Sequence, residues 1–188
     1  MLATIAMPDG TPLTIVPPEQ IDAMAQQGLQ SIEGVVVTPE ECGAVFEAAA
    51  QMPEGTRYAV GAAMNPTNQS TTIITLTELD GAEELMRSQQ GDAEARAETC
   101  STYQVELQGE TATGESTVLE TTNDGAISMG ARGALTLPTG QKQNTTTVSA
   151  ARRSISVTAI SQSVDSPAAD IAILEGLVDQ VLAAADQK

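Results

Sequence analysis

The sequence predicts an α+β fold in which an antiparallel β-sheet of about five to six strands carries flanking helices. Three observations predict it. Between residues 103 and 162 apolar residues alternate with Ser and Thr, as in antiparallel strands with one solvated face. Asn123-Asp124-Gly125 and Pro138-Thr139-Gly140 interrupt that run with turn signals. Outside it, capping residues and prolines open stretches whose apolar positions recur at helical spacing.

Taken in order, Pro8-Asp9-Gly10 marks a turn before the apolar run Leu13, Ile15, Val16. Residues 1–16 read as an N-terminal segment and 17–185 as the core of one domain spanning 1–188. Pro17-Pro18 suit the first turn of a helix to about Gln27, with Ile21, Met24 and Ala25 on one face and Gly28 as its stop. Val35-Val36-Val37 is a brief extended piece. Thr38-Pro39-Glu40-Glu41 then has the cap, proline and early carboxylates of a second helix, carrying Cys42, Val45, Phe46 and Ala49. Residues 57–64 and 70–77 read as a hairpin, and 82–102 as one long or broken helix with Gly91-Asp92 as its break point. Strands follow over 103–108, 116–121, 126–136 and 145–160. Ser166-Pro167 opens a last helix to about Ala185, its buried stripe Ile171, Leu174, Val178 and Val181.

Composition removes several chemistries. The 188 residues hold 25 Asp and Glu against 8 Lys and Arg, a formal net charge of -17, and no His. Imidazole-based triads and His-ligated zinc or haem are therefore excluded. Eight scattered cations do not make the basic footprint that nucleic acid requires. The only aromatic residues are Phe46, Tyr58 and Tyr103, so the core is aliphatic and packs in thin layers. No apolar run approaches the ~20 residues that span a bilayer, and no basic n-region precedes one. A signal or anchor is expected upstream of Met1. Cys42 and Cys100 form a disulfide, remain two buried thiols or contribute half a metal site, and the lack of His disfavours the last. In an exported protein the disulfide would stabilise by about 4 kcal/mol in the chain-entropy model.

Among motifs, GxxxxGK[ST] is absent, and Gly130-Ala131-Arg132-Gly133 reads as a strand that must pack closely or bend. Adjacent strand residues face opposite ways, so Arg153 shares parity with Ile155, Val157 and Ala159 and is expected to face inward, whereas Arg152 goes with Ser154, Ser156 and Thr158. An inward arginine needs a carboxylate partner or lines a wet cleft where it meets an anion. Tyr58 and Tyr103 are expected to pack with their hydroxyls at an edge.

From Pro39-Glu40-Glu41-Cys42 onward, the element order resembles the PknH-like extracellular sensor domain family. A short helix and a Pro-x-x-Cys helix precede a two-stranded run; an acidic helix ending in Cys100, a Thr-rich strand series and an Ala-rich helix follow. That family comprises ectodomains of actinobacterial serine/threonine kinases and related cell-envelope lipoproteins. The resemblance covers roughly residues 17–185. It implies a Cys42–Cys100 disulfide and a concave cleft for an unidentified ligand, with no enzymatic activity, no metal and no cofactor. The family's second disulfide is missing, Val148 and Ser161 standing where its cysteines would fall, and its tryptophans are missing too. The expected function is a non-enzymatic, extracytoplasmic ligand-binding or sensor domain, tethered by an anchor outside the chain, with Arg153, Tyr58 and Arg132 as polar contacts to a lipid, glycan or other small envelope ligand. A carbohydrate-active hydrolase with carboxylates about 5–9.5 Å apart is one alternative. A structural interaction module, marked by an exposed apolar patch and no pocket, is another.

Overall fold

The computed structural model describes residues 2–21, 23, 26–27, 34–43, 56–65, 68–107 and 109–186. Its strands are β1 (Thr14–Val16), β2 (Val36–Thr38), β3 (Arg57–Met64), β4 (Thr71–Glu78), β5 (Thr102–Leu107), β6 (Glu110–Leu119), β7 (Ile127–Thr136), β8 (Lys142–Arg152) and β9 (Ile155–Val164). They form one sheet in the order β1-β3-β4-β9-β8-β7-β6-β5-β2, every neighbouring pair antiparallel. The sheet thus has nine strands among the described residues rather than five to six. Two of the extra strands, β1 and β2, are three-residue edges, too short to show an alternation. The third arises because 145–160 is not one strand: β8 and β9 meet in a two-residue turn at Arg153-Ser154.

Two fifteen-residue helices, α1 (Ala82–Arg96) and α2 (Ile171–Ala185), pack on opposite faces of this sheet. Leu174, Leu177, Val178, Val181 and Leu182 of α2 are buried with Ile74, Val148, Ala150, Val157 and Ala159. Ala151, on the other face, is covered instead by Ala82 and Met86 of α1. Small strand residues let α2 lie close: a Cβ on Gly130 would come within 3.0 Å of Ile171 Cδ1 and 2.7 Å of Thr121 Cγ2. Leu2, Ile5 and Leu13 also join the core, so the N-terminal segment that the sequence sets apart from 17–185 contributes to it.

Several element boundaries differ from expectation. Helix α1 runs unbroken through Gly91 and ends at Arg96, so Cys100 lies in the turn before β5. An exposed glycine costs only about 1 kcal/mol in a helix, too little to break it. Helix α2 begins at Ile171 rather than after Ser166, because the Asp170 carboxylate accepts the Ala172 amide and caps it. In the first expected helix, residues 18–21, 23, 26 and 27 are helical, and Met24 and Ala25 lie outside the described residues. The described start of the second is a 3-10 turn, Glu40–Cys42, preceded by a cis Thr38-Pro39 bond, with Pro39 rather than Thr38 at the cap position. Val45, Phe46 and Ala49 lie outside the described residues.

The Cys42–Cys100 disulfide is present and joins this turn to the α1–β5 connection across 58 positions of sequence. Since β2 pairs with β5, the bond staples the sheet's outer edge to the segment leading out of α1. Val148 and Ser161 are both fully buried on the α2 face, where Ser161 Oγ accepts the Ala169 amide at 3.0 Å.

Candidate functional site

Two clefts of similar size collect the sequence-derived candidates. The first, about 510 Å³, opens at the β8–β9 turn, where Tyr58 and Arg153 meet Arg57, Arg152, Glu78 and Asp186. Arg153 does not face inward. It occupies the turn itself with φ 57°, and its side chain is 81% exposed, so strand parity does not apply to it. Arg152, the last residue of β8, is the half-buried member of the pair at 22% exposure and is ion-paired with Asp186.

Every arginine in this cleft has a carboxylate. Arg57 Nε lies 3.6 Å from Glu78 and Arg153 3.7 Å from Asp186. Arg152 also donates to the Asp124 carbonyl at 3.3 Å, and the Arg153 backbone N–H donates to Glu83 of α1. Asp186 stands at the C-terminal end of α2, where the helix dipole disfavours an anion, and the two arginines offset it. The β8–β9 turn therefore ties the end of α2 on one face to the start of α1 on the other.

The second cleft, about 520 Å³, lies where α2 begins. Its floor is the α2-side face of the sheet, presented by Arg132 of β7 and by Lys142, Asn144 and Thr146 of β8. Register brings these together: Thr136 pairs with Lys142, Ala134 with Asn144 and Arg132 with Thr146. Its wall is the connector 165–170, held to the strands by its own hydrogen bonds. Asn144 Nδ2 donates to the Ser166 carbonyl at 2.8 Å, and the Ser163 hydroxyl donates to the same oxygen. The Lys142 amide donates to Asp165 Oδ1 at 2.8 Å, and the Asp165 amide returns a bond to the Lys142 carbonyl at 2.7 Å. The wall is thereby fixed before any ligand arrives.

What this cleft leaves unused is chiefly donor capacity. The Arg132 guanidinium is exposed and has no partner among the described residues. Lys142 Nζ has only an exposed contact with Glu115 at 3.3 Å. Thr146 is fully buried and its hydroxyl has no hydrogen-bond partner among the described residues, although buried hydroxyls in folded proteins almost always find one. Both acids here have structural work, Asp165 on the Lys142 amide and Asp170 as the α2 cap.

The structure thus separates Arg132 from Tyr58 and Arg153. Lys142, Asn144 and Thr146 escape the sequence reading, although the Pro138-Thr139-Gly140 turn would place them beside Arg132 once its register is known. Tyr103 packs against the opposite sheet face, its ring over Gly114, and burial raises its phenol above the usual value. No group of three or more metal-ligating side chains occurs among the described residues. None of their helices is long and apolar enough to cross a membrane.

A large antiparallel sheet with helices on both faces and a disulfide at its edge defines the class, an α+β domain with the fold of the PknH ectodomain. The particular likenesses are to two solved structures. One is the extracellular domain of PknH from Mycobacterium tuberculosis, with a TM-score of 0.54 and 8% identity over 93% of this chain and 99% of that one. The other is an uncharacterized protein from Mycobacterium smegmatis, the Rv0999 ortholog, with a TM-score of 0.52 and 19% identity over 93% of this chain and 85% of that one. At these identities the likeness is one of fold. No protein-family profile and no curated protein matches the chain.

Proposed function

We propose that this chain is a non-enzymatic extracytoplasmic ligand-binding or sensor domain of an actinobacterial cell envelope, tethered by a lipid or transmembrane anchor outside the chain. The observation that carries the reading is the Cys42–Cys100 disulfide, which closes the edge of a fold also built by the extracellular domain of PknH. Disulfides of this kind persist in oxidising compartments. The acidic, His-free surface suits a solvated domain outside the membrane. The ligand, a small envelope lipid, glycan or related molecule, sits in the cleft at the start of α2, with Arg132 as its polar contact. The matched ion pairs around Tyr58 and Arg153 serve instead as a clamp between the two helices.

The test is the thiol state of the protein in intact cells of its own organism. Alkylation before and after reduction, read by mass spectrometry, is expected to label both cysteines only after reduction. Two cysteines labelled before reduction would overturn the extracytoplasmic placement.

A further inference from the structure

We infer that the cleft at the start of α2 is a binding site for an oxyanion, a phosphate or phosphate ester whose oxygens accept hydrogen bonds from Arg132, Thr146 and Lys142. The inference deepens the binding-domain reading above and rests on it.

Four observations converge. Thr146 is fully buried at the cleft floor with an unpartnered hydroxyl, a state native proteins avoid unless another molecule completes it. Arg132, its register partner across β7 and β8, brings a guanidinium that no described carboxylate neutralises, although acids outnumber cations by 25 to 8 in this chain. A guanidinium presents a planar fork of donors that matches two oxygens of one phosphate. Lys142 adds a second cation at the rim, committed only to an exposed contact with Glu115. Finally, the capped N-terminal end of α2 borders the cleft at Asp170, so the positive end of its dipole offsets that carboxylate and lessens its repulsion of an anion.

The contrast with the other cleft decides between the two. Around Arg57, Arg152 and Arg153 each guanidinium is already ion-paired with Glu78 or Asp186, and although Arg152 Nε is a buried donor without a partner among the described residues, an anion bound there competes with Asp186. At Arg132 it displaces only water. Asp165 and Asp170 do not fill the role, because each is already bonded to a backbone amide. They do set a preference: the ligand must present its charge toward Arg132 and its neutral part toward Pro167 and Ala168.

The experiment is amide-shift mapping by NMR on the oxidised chain, titrated separately with inorganic phosphate and with uncharged myo-inositol. A sedimentation assay uses phosphatidylcholine vesicles with and without phosphatidylglycerol. Phosphate is expected to move the amides of Arg132, Thr146, Ser166, Ala168 and Ala169 saturably. Arg132→Gln should weaken this binding about tenfold and Thr146→Val about fivefold, whereas Arg153→Gln leaves it unchanged. Sedimentation that needs phosphatidylglycerol and is lost in Arg132→Gln identifies a lipid headgroup as the source. Phosphate shifts without sedimentation identify a soluble phosphate. Absence of both responses overturns the inference, as do shifts centred on Arg57 and Arg153. Saturable binding of myo-inositol alone also overturns it, while leaving the binding-domain reading standing.

Discussion

Removing the Thr146 hydroxyl should make the ligand-free protein more stable. Thr146 is wholly buried and its Oγ1 has no hydrogen-bond partner among the described residues, so folding strips the hydroxyl of water without replacing the bond. An orphaned buried polar group costs about 1–3 kcal/mol. Valine keeps the shape and β-branching of threonine and suits a central strand equally well. With part of the gain lost to imperfect repacking, Thr146→Val is expected to raise stability by about 1–2 kcal/mol, which for a domain of this size is a rise in Tm of roughly 3–6 °C. Ser161, its register partner on β9, is the control. Its hydroxyl accepts the Ala169 amide at 3.0 Å, so Ser161→Ala orphans a backbone donor and should cost about 1–2 kcal/mol. Urea denaturation with unchanged m-values measures both. A Thr146→Val variant less stable than the parent by as much as Ser161→Ala would refute the reasoning, since the hydroxyl would then have a partner in the native state. Saturating phosphate should narrow the gap between parent and Thr146→Val, because ligand stabilises the parent more.

Further outcomes follow from other parts of the fold. Cys42→Ser with Cys100→Ser should cost about 2–4 kcal/mol in urea, given the 58-position separation, and a loss below about 1 kcal/mol would contradict a stapled edge. Gly114→Ala places a Cβ 2.3 Å from the Tyr103 ring and should cost about 1–3 kcal/mol; adding Tyr103→Leu should recover about 1 kcal/mol of coupling in a double-mutant cycle, and simple additivity would argue against the contact. Arg152→Gln breaks the half-buried pair with Asp186 at a cost of about 1–2 kcal/mol, whereas Arg153→Asn, at a φ of 57° that asparagine tolerates, should be neutral or stabilising; equal losses in calorimetry would undo this distinction. Burial raises the Tyr103 phenol above 10.0, so the folded state holds that proton more tightly than the unfolded chain does. Its contribution to stability is present below the unfolded-state value and lost as pH rises through the folded-state one. Alkaline absorbance titration of a Tyr58→Phe variant should show the remaining tyrosine ionising late, and ionisation at the ordinary value would contradict it.

Much of the architecture was legible in the sequence because pattern and punctuation agreed. The β3–β4 hairpin, the Thr-rich strands β5 to β7 and the buried stripe of α2 follow from alternation and spacing that tertiary packing did not override. The β8–β9 junction was not legible. Arg153-Ser154 contains none of the Gly, Asn, Asp or Pro residues that announce a two-residue turn, so the segment read as one strand. The inward placement of Arg153 rested on that continuity and fell with it. The start of α2 moved because Ser166 gives its carbonyl to Asn144 and Ser163, which leaves capping to Asp170. For the candidate site, Arg132 was visible as a cation within an apolar strand. Its alignment with Thr146 depends on hairpin register, and an unpartnered hydroxyl is a property of packing that no residue type reveals.

The most direct measurement follows thermal unfolding of the parent, Arg132→Gln and Arg153→Gln side by side as inorganic phosphate is added at constant ionic strength. A binding domain whose oxyanion cleft lies at the start of α2 predicts that Tm rises together for the parent and Arg153→Gln and stays flat for Arg132→Gln. A rise in Arg132→Gln equal to the parent's, or none in any of the three, would contradict it.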